Sequence, residues 1–338
     1  MRKKSLELQY LETLSERTKL TKVECKELMA CQSGFQGEVT FDKVTWPLFK
    51  PDFVIDDLNL SYGDSRVQID KLLQVGERLY LINVKNYSGN YQFKSGSWYH
   101  NNVILAHSIF TQIDRAHDIL AKILSDSHIN LQIVKVIVFM NANTKLDVQD
   151  PTDILTMSFG SFFDWMQRNI KEAEFLPMPN ERPWQQTLQK FLVLPYKNKE
   201  DFSMVRGRKL KVGIRCPNCG KFEWQVLRFS LRCKNRKCRF GESKEQAYVR
   251  TICEYGTLFF TQDLRFRNVR NFFGDVVNES YLRYILGKHF KPGGKKARQY
   301  CYVNKGMRFE YWFEHKQQYF LELQKRLKWQ KSGERYNS

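Results

Sequence analysis

No run of about 18 apolar residues occurs in this 338-residue chain, so a helix long enough to cross a membrane is excluded. The basic start, Met1 to Lys4, is not followed by an apolar stretch. Leu6, Leu8, Leu11 and Leu14 are interspersed with Glu7, Gln9, Glu12 and Ser15, which reads as a short amphipathic helix and not a signal peptide. Long repeats and low-complexity tracts are missing as well. What remains is ordinary globular sequence, long enough for two or three domains. Acidic residues are scarce in one half only. Residues 1–195 carry 22 Lys/Arg against 23 Asp/Glu, whereas 196–338 carry 33 against 13. A neutral half joined to a strongly basic half points to a polyanion as partner of the second, nucleic acid ahead of an anionic membrane. Eight cysteines without an export signal fit a reducing compartment, so a cytoplasmic location is expected and Cys25, Cys31, Cys253 and Cys301 read as free thiols.

The other four cysteines are spaced for chemistry. Cys216 and Cys219 form one close pair, and Cys233 and Cys238 form another after a short strand-rich stretch. Two such pairs on tight turns bring four thiolates round one zinc ion. Pro217 and Gly220 supply turn residues at the first pair. Lys221, Arg228, Arg232, Lys234, Arg236, Lys237 and Arg239 crowd a module too small to bury them, so they should face outward and offer a surface to phosphate.

Hydrophobic periodicity organises the rest. Residues 1–32 read as two helices, with Thr21 and Glu24 set for a capping box on the second. A third helix is expected from about Gly34, carrying Glu38. Strands follow at about 52–60, 66–74 and 79–87, then a hairpin from Tyr91 to Tyr99. Ile109, Ile113, Ala116, Ile119, Leu120 and Ile123 predict a helix over 106–126, and Val134 to Met140 a buried strand. A strand near 153–157 and helices near 161–173 and 183–194 complete a mixed sheet flanked by helices, an α/β domain over 34–195. Residues 196–208 read as a linker, 209–243 as the zinc ribbon and 246–330 as a basic, mostly helical domain. In that last domain helices are expected at Gln246–Phe260, Gln262–Phe273 and Glu279–Phe290, then a hairpin of Tyr300–Val303 and Arg308–Phe313. Three helices and a hairpin is the order of a winged helix; a small helical bundle with an incidental hairpin fits the same pattern.

The hairpin over 67–89 gathers reactive groups. Gly76-Glu77 suits a two-residue loop, so Val75 should face Arg78 and Asp70 should lie opposite Asn83, with Lys85 two residues further on the same face. The opposite face then carries Leu73, Tyr80, Ile82 and Val84 as a core, which argues for this register because a one-residue slip would invert every side chain. Read blandly, Asp70 and Lys85 are an ion pair on a half-exposed sheet.

G-F-Q-G-E at 34–38, Q-I-D at 68–70, V-K-N-Y-S-G at 84–89 and Gln112 resemble the nuclease-related domain, NERD, over about 34–150. The resemblance implies a PD-(D/E)xK, restriction-endonuclease-like fold. There a strand aspartate and a second carboxylate two residues before a lysine hold Mg²⁺ or Mn²⁺, and the lysine positions or activates water. By motif, Asp70 is the metal-binding aspartate, Lys85 the catalytic lysine, Glu38 the helix glutamate and Gln112 the helix glutamine. The chain departs from the pattern at Asn83, where the second carboxylate is expected. An amide oxygen is a donor without charge, which weakens a site for a hard cation, and Glu38 is the candidate to supply the missing charge.

Phosphate contacts are expected from Lys234, Arg236, Lys237 and Arg239 in the ribbon and from Lys295, Lys296 and Arg298 in the loop that follows Lys291. Lys305 and Arg308 would join them on a wing, and Arg283 and Lys288 would lie on the helix entering the groove. Two functions follow. One is a DNA-processing, metal-dependent nuclease delivered by its basic half. The other is a degenerate enzyme acting as a zinc-dependent nucleic-acid-binding or regulatory protein.

Overall fold

A computed structural model describes residues 2–48, 54–173, 183–193, 205, 207–293, 301–313 and 316–333. The chain divides into two compact units, Met1–Arg2 with Met29–Pro195, and Lys3–Leu28 with Tyr196–Ser338. Helix α1 (Leu6–Arg17) lies in the second unit, and α2 (Lys22–Thr45) contributes its first turns to the second and the rest to the first. The expected capping box forms: Thr21 N–H donates to Glu24 Oε2 at 2.7 Å, and Glu24 N–H to Thr21 Oγ1 at 3.2 Å. The helix break expected at Gly34 does not occur. Glycine there weakens helix propensity, but tertiary contacts decide the outcome. Ser33 Oγ donates to the Asn86 carbonyl at 3.1 Å, and Asn86 Nδ2 donates to the Ser33 carbonyl at 2.8 Å.

The first unit is built on a five-stranded sheet in the order β1-β2-β3-β7-β9, from β1 (Val54–Tyr62), β2 (Ser65–Val75), β3 (Arg78–Lys85), β7 (Gln132–Phe139) and β9 (Leu155–Ser158). Strands β1, β2 and β3 are antiparallel, while β7 and β9 add in parallel. A second sheet of β4 (Gly89–Lys94), β5 (Ser97–His100), β6 (Val103–Ile104) and β8 (Thr144–Val148) follows the order β6-β5-β4-β8.

Helix α3 (Thr111–Asp126) covers one face of the main sheet through Ile113, Ala116, Leu120 and Ile123, joined by Trp184 and Leu188 of α5 (Pro183–Gln189). Phe41 of α2 with Phe162 and Met166 of α4 (Phe159–Ala173) cover the other, against Leu73, Tyr80, Ile82 and Val84. The core residues assigned to that face by the hairpin register therefore hold. Both faces of β3 and β7 are dry, which is why each reads as an unbroken apolar run. Helix α3 starts five residues later than its periodicity suggests, at Thr111.

The second unit contains a three-stranded ribbon of β10 (Trp224–Val226), β11 (Ser230–Cys233) and β12 (Gly241–Ser243). Then come α6 (Lys244–Leu258), β13 (Leu264–Arg265), α7 (Phe266–Phe273), α8 (Glu279–His289), β14 (Cys301–Tyr302), α9 (Phe309–Trp312) and α10 (Gln317–Gly333). The expected hairpin is corrected here. Cys301–Tyr302 pairs with Leu264–Arg265, and Arg308 caps a short helix. The helix expected from Gln262 accordingly begins only at Phe266. The reason lies in Asn304. Its side-chain amide donates to the carbonyls of Gly256, Phe259 and Gln262 at 2.8–3.0 Å, while its Oδ1 accepts from Gly306 N–H at 2.8 Å. The residue meant for a hairpin turn thus closes the end of α6 instead. Among the described residues this region is mostly helical, with the short β13–β14 pair beside the helices.

Buried charge knits this unit together. Arg17 pairs with Glu254, Arg250 spans Glu242 and Glu254, and Arg215 pairs with Glu16 at 2.9 Å.

Candidate active site and metal centre

The β2–β3 turn follows its sequence signals. Gly76 adopts φ 60, and the ladder runs from Val75↔Arg78 to Lys71↔Ile82. Asp70 and Asn83 lie just beyond the last of these pairs. There the strand leaves simple alternation: Ile69 and Leu72 point into the same cluster although three residues apart, opposite Asp57 at φ 51. At this kink the Asp70 carboxylate turns inward, and its Oδ2 accepts the Val84 N–H at 2.9 Å. Lys85, at the end of β3, donates to Gln112 Oε1 at 2.8 Å, from the first turn of α3. Glu38 approaches from α2, whose Gly37 lies so close to Asn86 that a Cβ would sit 2.6 Å from the Asn86 Cβ. Asp70, Lys85, Glu38 and Gln112 thus meet where β2, β3, α2 and α3 converge.

Asp70 is buried, Lys85 and Glu38 are half-buried, and Gln112 is exposed at the rim. Burial raises the Asp70 pKa, opposed by the Val84 N–H and the Lys85 charge. Burial lowers the Lys85 pKa, opposed by Asp70 and Glu38. Burial, then the Asp70 charge, push Glu38 up to about 7, with Arg2 pulling the other way. Asn83 is buried too, and among the described residues nothing hydrogen-bonds to its Oδ1. An orphaned buried oxygen beside a carboxylate is costly unless a cation or water completes it.

Sequence reasoning missed the cations behind the site. Arg2 donates to Glu38 Oε2 and Asp42 Oδ2, both at 2.9 Å, and to the Asp70 carbonyl at 3.1 Å. Lys71 pairs with Asp56 at 2.6 Å and Asp42 at 3.0 Å. Arg2 lies 36 residues from Glu38, and no local signal announces such a contact.

Glu38 gives a pH prediction. Its folded pKa lies above the ordinary 4.5, so the folded state holds the proton more tightly. The stability this contributes is complete below 4.5 and is lost as pH rises towards about 7. Arg2→Ala is expected to move the midpoint above that of the wild type, read by carbon NMR of the labelled glutamate. An unchanged midpoint would mean that Arg2 does not hold the carboxylate.

In the second unit the four cysteines come together as their spacing requires. All four Sγ atoms lie within 4.8 Å of one another, with Cys216–Cys238 at 3.8 Å and Cys219–Cys233 at 3.6 Å. Zinc–sulfur bonds of about 2.3 Å in a tetrahedron set neighbouring sulfurs about 3.8 Å apart. The donor set therefore fits a zinc ribbon. Asn218 Nδ2 donates to Cys238 Sγ at 3.2 Å, and the Lys221 N–H, then Asn235, bring the Cys219 thiol down to about 6. Trp224 packs beneath, its Nε1–H on the Ile214 carbonyl at 2.7 Å.

The ribbon cations Lys221, Arg228, Arg232, Lys234, Arg236, Lys237 and Arg239 are all exposed. Lys295, Lys296 and Arg298 lie outside the described residues. The other basic candidates are engaged within the unit. Arg308 faces Glu12 and Glu16 at 3.4 Å, Lys288 pairs with Glu245 at 2.9 Å, Lys305 reaches the Trp312 carbonyl at 3.3 Å, and Arg283 stacks on Phe266 at 3.9 Å. Among the described residues Lys305 and Arg308 do not sit on the expected hairpin, since Cys301–Tyr302 pairs with Leu264–Arg265 and Arg308 precedes α9.

Comparison with protein families matches residues 33–140, about a third of the chain, to the nuclease-related domain, NERD. No curated protein and no solved structure matches the chain.

Proposed function

We propose that the chain is a nucleic-acid-processing protein whose nuclease-related unit hydrolyses phosphodiesters with the help of a divalent cation, and whose basic, cysteine-clustered unit holds the polyanion, DNA in the first instance. One observation carries the reading: Asp70, Glu38 and Lys85 converge with an unpartnered Asn83 oxygen between the strands. Asp70, Asn83 and Glu38 would hold Mg²⁺ or Mn²⁺, hard ions suited to oxygen donors. Such an ion, when bound there, would supply positive charge opposite the phosphate and lower the pKa of water. The protein's own part is positioning. Gln112 fixes the Lys85 amine, which burial keeps less basic than usual and so fit to hold the attacking water and exchange its proton. Arg2 keeps Glu38 in place beside Asp70.

The test is an endonuclease assay with Mg²⁺ or Mn²⁺ on single- and double-stranded DNA and RNA, wild type against Asp70→Ala. Cation-dependent cleavage that disappears in the variant is expected. Cleavage equal in both proteins would sink the assignment of Asp70. Asn83 favours a second reading, a degenerate enzyme that binds nucleic acid without cutting it, because the amide withholds the second negative charge. On that reading wild type binds with a steep salt dependence and cuts nothing under any of these conditions.

A further inference from the structure

The tip of the ribbon hairpin carries what a polyanion-binding module does not need. The loop between β10 and β11 is Leu227-Arg228-Phe229, closed by Leu227 N–H to the Ser230 carbonyl at 2.9 Å. Phe229 is 59 % exposed, Val226 50 % and Leu227 39 %. The Arg228 guanidinium lies over one face of the Phe229 ring, 4.9 Å from its centroid. The tip is held rather than loose: the Phe229 carbonyl accepts the Lys244 N–H at 2.9 Å, at the start of α6. Small modules bury aromatics to make a core, and Trp224 does that here. Phe229 does not. Exposed apolar side chains cost solvation, and a contiguous group on a fixed turn marks a contact surface.

The surroundings select the occupant. The same ribbon exposes Lys221, Arg228, Arg232, Lys234, Arg236, Lys237 and Arg239 against one exposed acid, Glu223, while its Glu242 is buried against Arg250. A flat ring already paired with a guanidinium, amid exposed positive charge, matches a nucleobase with phosphates on either side. An intact duplex offers phosphates but hides its base faces. We infer that Phe229 stacks on an unpaired base, so that the basic unit selects single-stranded or frayed nucleic acid over duplex. This inference rests on the polyanion-binding reading above and narrows its substrate.

The test uses the full chain, loaded with zinc and checked for metal content. Affinity is measured by fluorescence anisotropy for a single-stranded oligonucleotide and a blunt duplex of equal length, and stacking by the emission of 2-aminopurine placed in the single strand. Wild type should prefer the single strand and quench the probe. Phe229→Ala should weaken single-strand binding about tenfold, abolish the quench and leave duplex affinity and the salt slope unchanged, while Phe229→Trp restores both signals. Because the ring is exposed, neither change should disturb folding or zinc content. Equal loss on both nucleic acids, or no loss on either, overturns the stacking role; no loss with no quench in wild type assigns the tip to a protein partner. If wild type binds neither nucleic acid, the polyanion reading itself fails, and this inference with it. Charge reversal at Arg236 and Lys237 tells the two apart, since it should weaken both nucleic acids and flatten the salt slope whatever Phe229 does.

Discussion

Lys85→Met is expected to lower cation-dependent cleavage by about 10²–10⁴-fold, the range for losing a positioned proton-transfer group. Methionine keeps the length and apolar stem of lysine, so packing at the end of β3 should survive. What disappears is the amine that Gln112 holds at 2.8 Å. The change also reaches Asp70. Burial already raises that carboxyl and the Lys85 charge opposes it, so removing the charge should raise it further. Any residual activity should therefore need a higher pH, with the acid limb of the rate profile moved upward. Rates within twofold of wild type at every pH would remove Lys85 from the reaction. Asn83→Asp is the complementary change. It adds the missing charge where the orphaned oxygen now sits, and should raise both cation affinity and cleavage if the geometry is already correct.

Removing the metal from the cysteine cluster is expected to have the largest effect on stability. One zinc per chain should be found by elemental analysis, and chelation or Cys233→Ser should unfold the ribbon, because apparent zinc binding in such modules supplies about 10–16 kcal/mol of folding free energy. Cys25→Ser, at an exposed thiol, should leave zinc content unchanged. The damage should spread past residue 243. Strand β12 carries Glu242, a buried partner of Arg250 on α6, and Ser243 caps α6 through the Gln246 N–H at 3.0 Å. Stripping one partner from a buried pair costs about 3–5 kcal/mol. Hydrogen exchange should thus accelerate in the ribbon and at the start of α6 together. Exchange confined to the ribbon would mean that α6 stands without it.

The β2–β3 hairpin was legible because its signals are local and agree: a glycine turn, an apolar face and a fixed period of two. The cysteine cluster was legible for the same reason. Two kinds of feature were not. Arg2 and Lys71 reach carboxylates far away in the chain, and charge alone does not say which partner a side chain will meet. Gly34 and Asn304 carry signals for a break and a turn, yet the surrounding structure uses one inside a helix and the other as a plug on the carbonyls of α6. The burial of Asp70 was not legible either, because strand alternation does not say that a helix will cover that face.

Helix α1 has a consequence for anyone dividing the gene. It packs on α6, its Leu8, Leu11 and Leu14 are fully covered, and its Arg17 answers Glu254, yet the whole of Met29–Pro195, part of another unit, intervenes before the chain returns to Tyr196. A fragment cut at Tyr196 would omit a wall of its own interior and strand a carboxylate. Supplying residues 3–28 as a separate peptide, or splicing them ahead of the fragment, would restore the wall. Sequence order and foldable module are different partitions of this protein.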